Sequence, residues 1–413
     1  MQGQANTSVW FGNDRCEPGR GGERHALVAG LILLCCPVAG NAAEWSLDPA
    51  VTALLGYESN AALTTDPHNG VSEGILVPGL TVRRATESSA VNVGLLGKAT
   101  YYSGSEFQDT QEAQVALSSF VQSTERVRFE LNGVSRWDSL FESAVLGTGT
   151  GNIQDVDIGL VQTKVRREWR EAEPSVTYAL TERSSVRLLY RLTDVQFRNV
   201  GTTGLIDYQQ NYLSGTYTYR LTPTDDLNLV ALGARYHPAE GTDSDTVEML
   251  AGMSHRFSPT ANAGLQAGLG KTTETMPDGS QVDTSLFVLE ARGSQQSELS
   301  QLEAVISRDV QPSGSGQSVS TDQLRLDWNR RLSQTMGSSL RSFVIRNKAL
   351  QGSDPTVDRR YAEVAAGVDW RVAPEWSAGV SYQYRYQKYD AAVDSASSNG
   401  LFLAVNWAPP RRR

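Results

Sequence analysis

Cysteine disappears from this chain after Cys36. The three that occur, Cys16, Cys35 and Cys36, all lie near the start of the 413 residues. A chain beginning near Ala43 therefore needs no disulfide, which suits a protein that crosses an oxidising periplasm unfolded. Histidine is almost as scarce. Only His68, His237 and His255 follow the N-terminal region, and none has the Cys or carboxylate spacing of a metal site. No metal or other cofactor is expected. Long apolar runs are also missing: after residue 42 none approaches the roughly 20 residues that a spanning helix needs. That excludes a helical membrane protein, and the mean hydropathy of -0.34 is then unremarkable for a chain that could span with strands. A basic excess is absent as well. The formal net charge is -9 with the two signs interspersed, so no nucleic acid is expected as a partner.

The N-terminus carries one apolar run, Ala26 to Gly40 (ALVAGLILLCCPVAG), preceded by Arg24 and His25 and followed by Asn41, Ala42 and Ala43. It reads as a secretory h-region with cleavage after Ala42 or Ala43, too short for a spanning helix. Residues 1–25 make a long n-region, so translation is expected to start downstream of Met1. A lipoprotein reading of Cys35 or Cys36 fails because leucine or cysteine stands where a lipobox has a small residue. Arg15, Arg20 and Arg24 leave with Asp14, Glu17 and Glu23, so the mature charge is unchanged. The expected organisation is a signal peptide with an extended n-region over residues 1–42 and one further unit over 43–413.

What fills that unit is a repeat. A stretch with every second residue apolar closes on a Ser/Thr-rich turn, runs back alternating, and ends in a longer Gly/Asp/Ser-rich loop. The unit recurs about nine times between Ala50 and Trp407, a period of about 40 residues. LTERSS (Leu180 to Ser185), LTPTDD (Leu221 to Asp226), FSPTAN (Phe257 to Asn262), LSQTM (Leu332 to Met336) and VAPEWS (Val372 to Ser377) are its clearest turns. The alternation predicts strands of about 10 to 14 residues, long for a globular sheet and right for a tilted membrane span. They lie near 50–63, 75–84, 90–102, 111–122, 127–140, 163–180, 185–197, 208–221, 226–237, 246–257, 261–274, 282–293, 298–310, 318–332, 337–349, 359–372, 376–389 and 399–407. The expected fold is all-β: an antiparallel, up-and-down transmembrane β-barrel of about 18 strands (16–20), short turns in the periplasm and longer loops outside. Tyr101, Tyr102, Tyr217, Tyr219, Tyr382, Tyr384, Tyr386 and Trp407 fall near predicted strand ends, where interfacial girdles sit. The longest predicted external loop, Glu142 to Gln162 with GTGTGN at Gly147 to Asn152, either folds into the lumen or stays outside.

By the same alternation, Arg128, Glu130, Arg136, Arg187, Arg191, Arg325, Asp327, Arg331, Glu363, Asp369 and Arg385 fall on the polar faces. In a barrel this wide such charges either select the passing solute or pair across strands and stiffen the wall. An arginine-rich wall would favour anionic sugars. Other chemistry is thin. The glycines before Lys271 and Thr272 miss the phosphate-loop spacing by one residue. His68 near Asp66 and His237 near Asp243 are the only material for an outer-membrane hydrolase. The acidic loop segments Thr242 to Asp245, Pro277 to Gly279 and Asp354 to Asp358 read as solvated or as holders of cations that bridge lipopolysaccharide.

GYESNAAL (Gly56 to Leu63), VPGLTV (Val77 to Val82), EPSVTYALTERSSVRLLYRLTDVQF (Glu173 to Phe197) and SRDVQPSGSG (Ser307 to Gly316) resemble the beta-barrel porin type 2 family, whose members accompany exopolysaccharide and exosortase systems. The resemblance implies an outer-membrane channel serving exopolysaccharide export or biosynthesis and brings no site motif; with so little candidate chemistry, no enzyme is expected. One departure is the end of the chain, where Trp407 is followed by Ala408, Pro409, Pro410 and three arginines instead of closing on an aromatic. Expected partners are outer-membrane lipid and lipopolysaccharide, the barrel assembly machinery and polysaccharide export components. The rival reading is a non-conducting barrel that holds polymer or a partner on its external loops; a hydrolase comes third.

Overall fold

A computed structural model describes residues 43–65, 68–104, 107–139, 165–201, 203–350 and 357–410. The expected signal peptide and the GTGTGN segment lie outside the described residues. Eighteen strands follow in chain order. The first six are β1 (Glu44–Glu58), β2 (Val71–Ala85), β3 (Ser89–Tyr102), β4 (Thr110–Gln122), β5 (Val127–Ser139) and β6 (Arg166–Ala179). Next come β7 (Ser184–Arg198), β8 (Tyr208–Arg220), β9 (Asp225–Pro238), β10 (Asp243–Ser258), β11 (Ala261–Thr275) and β12 (Gln281–Gln296). The last six are β13 (Ser300–Pro312), β14 (Ser318–Arg331), β15 (Met336–Ala349), β16 (Arg359–Ala373), β17 (Trp376–Tyr389) and β18 (Ala396–Trp407). Each strand pairs antiparallel with its chain neighbours, and β1 closes the sheet on β18 from Val51↔Trp407 to Glu58↔Gly400. The result is a closed 18-stranded up-and-down barrel.

The Ser/Thr content of the short turns has a direct cause. The first turn residue uses its hydroxyl to accept the amide three positions on, in Thr86/Ser89 (3.0 Å), Thr124/Val127 (3.1 Å), Thr222/Asp225 (3.0 Å), Ser297/Ser300 (2.9 Å) and Ser333/Met336 (3.0 Å). That side-chain bond replaces a ladder bond where the strand reverses.

The two faces separate by register. Leu55, Val247, Met249, Leu269, Leu401 and Leu403 are more than half exposed and lie on one face through successive ladders. Such an apolar exterior is stable only against lipid, and a closed ladder leaves no unpaired edge there. The protein is an outer-membrane barrel. Aromatic side chains ring both ends of the band, with Trp45, Trp370 and Trp376 at the short-turn end and Tyr57, Tyr101 and Trp137 at the long-loop end.

Two segments depart from the predicted wall. β1 ends at Glu58, five residues before the predicted end of that strand, and the chain turns inward. The β13–β14 hairpin, whose tip is residues 313–317, also folds inward instead of standing outside as a loop.

Candidate functional site: the lumen and its external constriction

All eleven polar-face charges lie on the face opposite the exposed apolar one in the ladder registers, and the structure distributes them among five places. On the wall of β5 to β7, Glu130 meets Arg128 at 2.7 Å and Arg187 at 3.2 Å, and Arg128 lies 4.3 Å from the Phe120 ring centre. Arg191 pairs with Glu173 at 2.7 Å and stands over Tyr212 at 5.2 Å. Across the barrel Asp327 is shared by Arg325 at 2.5 Å and Arg341 at 3.1 Å.

Two clusters are buried at the external end. Arg136 and Arg167 converge on Asp138, at 3.1 and 2.8 Å, and both guanidiniums lie 5.4 Å from the Trp169 ring. Arg385 bonds Glu58 and donates to Ala61 O at 3.1 Å, while Tyr361 donates to Glu363 at 2.8 Å beside it. Burying such pairs is tolerable only because each charge keeps its partner. Arg331 and Asp369 sit apart from these, lining a cavity of about 580 Å³ at the short-turn end of the lumen.

Glu58, Lys98, Asp138 and Arg167 were not among the eleven candidates, although the alternation over Ala90 to Tyr102 puts Lys98 on the polar face. Lys98 and Glu112, 3.5 Å apart, and the Arg167–Asp138 pair join residues brought together only by the ladder. Glu58 could have been found by extending the β1 alternation from Thr52 and Leu54 to the strand end.

Inner-face accessibility changes along the axis. On β16, Arg359, Tyr361 and Glu363 are buried, Ala365 and Gly367 are half-buried, and Asp369 and Arg371 are exposed. The lumen is therefore wide at the short-turn end and constricted towards the outside. The inward turn after β1 makes one side of the constriction. Asn60 brackets it, donating to Thr64 O (2.9 Å) and accepting from Thr64 N (3.1 Å), and Leu63 packs with Phe343, Ile345, Tyr361 and Ala396. The β13–β14 tip makes the other. Its Gly314 O accepts from Ile206 N (2.8 Å), its Gly316 O from Thr242 N (3.0 Å), and its Ser313 O from the Tyr236 hydroxyl (2.8 Å). Tyr236 belongs to an inner-wall cluster with Val165, Trp169, Val195, Phe197 and Tyr208.

The remaining candidates lie elsewhere. His237 and Asp243 do meet, at 2.7 Å, but on the outward face beside the Arg235–Asp245 pair. His68 is exposed, and Asp66 lies outside the described residues. In the loop after β11, Ser280 donates to Asp278 from both its amide and its hydroxyl, holding that carboxyl below the usual range.

No protein-family model matches the chain, and no curated protein matches it. Among solved structures, OccK9 (OpdG) of Pseudomonas aeruginosa is similar at 12% identity and TM-score 0.45, over 88% of this chain and 98% of that one. OccK2 (OpdF) of Pseudomonas aeruginosa, solved in complex with glucuronate, is similar at 9% identity and TM-score 0.46, over 88% and 98%. OccAB2 of Acinetobacter baumannii is similar at 9% identity and TM-score 0.45, over 90% and 98%.

Proposed function

We propose that the barrel is a passive outer-membrane channel for small hydrophilic solutes, in the service of exopolysaccharide export or biosynthesis. The observation that supports a channel is the graded lumen: charged side chains exposed at the inner mouth, giving way to a narrow, ion-paired constriction outside. A fixed polar lining at a constriction is how a pore discriminates among solutes. The link to exopolysaccharide rests on the sequence resemblance of the Gly56 to Leu63, Val77 to Val82, Glu173 to Phe197 and Ser307 to Gly316 stretches. A second reading, a closed barrel that acts through its outer surface, is favoured by the packed external half. Swelling of protein-loaded liposomes in monosaccharide and oligosaccharide solutions separates the two. The channel predicts swelling that slows as the sugar lengthens; liposomes that never swell would leave only the closed barrel.

A further inference from the structure

The wall is not sealed everywhere. β12 and β13 are joined by a short turn, yet their ladder holds eight pairs, from Gln296↔Gln301 to Leu289↔Arg308, and stops. Above it β12 continues from Val288 to Gln281 paired only with β11, while β13 continues to Pro312 paired only with β14. The two strands part because the β13–β14 tip is held across the lumen. It is anchored to Ile206, Tyr236 and Thr242, and the Ser244 and Ser318 hydroxyls meet at 2.6 Å. A notch is left in the external half of the wall. Its base lies in the apolar band, since Phe287 and Ile306 beside it are nearly half exposed on the outer face. An unpaired strand edge facing lipid is costly, because its backbone groups have no water to bond.

Behind the notch is a cavity of about 160 Å³ between the inward hairpin and the inner wall. Most inner faces of this barrel are polar, but here Val230, Leu250, Gly268 and Val288 form one register row across β9 to β12. Leu232 and Ala234 follow Val230 along β9, opposite Glu248 and Thr246, and Leu250 and Val288 are buried. The rest of the lining is polar, with Glu171 and Arg191 on the β6–β7 side, Glu248 in register with Leu232, and Glu290, Asp309 and Gln311 at the notch. An apolar patch thus lies between the charged groups of the lumen and the β12–β13 gap, whose inner side is itself acidic, a mixed lining suited to a single-chain amphipath.

From these observations we infer that the barrel has a lateral exit, through which an amphipathic solute with one alkyl or acyl chain moves between the lumen cavity and the outer leaflet by way of the β12–β13 notch. The inference deepens the channel reading by naming a solute class and a second way out. It is testable in the full mature barrel, because residues 43–413 contain no cysteine and single labels can be placed freely. Bimane is attached to Leu232→Cys, Val288→Cys, Ala365→Cys and Leu269→Cys variants in vesicles, and quenching is read with brominated two-chain phosphatidylcholine and with doxyl-stearate. Position 269, on the outer face, loses fluorescence with both quenchers and verifies insertion. Position 365, on the opposite inner wall, loses none. The lateral exit predicts loss at 288 with doxyl-stearate and loss at 232 with doxyl-stearate but not with the two-chain lipid. A label at 232 that doxyl-stearate quenches no more than at 365 overturns it. Failure of the two readings is distinguishable: sugar-induced swelling with an unquenched 232 removes the lateral exit alone, and a quenched 232 without swelling removes the hydrophilic channel alone.

Discussion

Single residues carry the constriction. Arg385 and Glu58 are both almost fully buried, and removing the guanidinium leaves a carboxylate in the protein interior without its main counter-charge. Arg385→Ala is expected to cost about 3–5 kcal/mol, read from urea unfolding of the barrel in vesicles, with Arg385→Lys recovering part. An unchanged unfolding midpoint would mean that the pair contributes nothing. Glycine matters at the hairpin tip. Gly316 has φ +81, and a Cβ there would lie 2.7 Å from Ile206 Cδ1 and 2.9 Å from Glu240 O. Gly316→Ala should therefore detach the hairpin tip through both backbone strain and contact. The eleven inner charges named from the sequence were readable by alternation. Their partners were not: Glu58 and Arg385 are 327 residues apart, and only closure of β1 on β18 brings their strands into one wall.

Among the elements, the β13–β14 hairpin does the most to shape the lumen. Its tip accounts for the constriction on one side and for the parted wall on the other. Replacing residues 313–317 with a two-residue Asn-Gly turn keeps a hairpin but removes the bonds to Ile206, Tyr236 and Thr242. Single-channel conductance in planar bilayers should rise above that of the parent, and an equal conductance would show that the tip does not limit flow. The SRDVQPSGSG stretch covers this hairpin and GYESNAAL covers the inward turn after β1. Both looked like ordinary strand and loop in the sequence, because alternation reports which face a residue takes and is silent on whether the strand stays in the wall. The short turns were the opposite case: a Ser or Thr that captures its own chain three residues later is a local device and is visible locally.

At the scale of the whole barrel, charge pairing sets the expected selectivity. Arg128, Arg136, Arg187, Arg191, Arg325 and Arg385 each have a carboxylate partner, which removes most of the anion preference that an arginine-rich wall would confer. Reversal potentials in a salt gradient should be small, and Arg331→Glu at the wide inner mouth should shift them towards cations; a strong anion preference in the parent would contradict the paired wall. The sequence by itself determined the barrel, its strand count to within a hairpin and its outward apolar face, because period-two alternation, strand length and turn chemistry are all local properties. Only the tertiary structure decided which charges meet, which segments leave the wall, and where β12 parts from β13. Those depend on closure and on contacts between strands far apart in the chain, which no local pattern encodes.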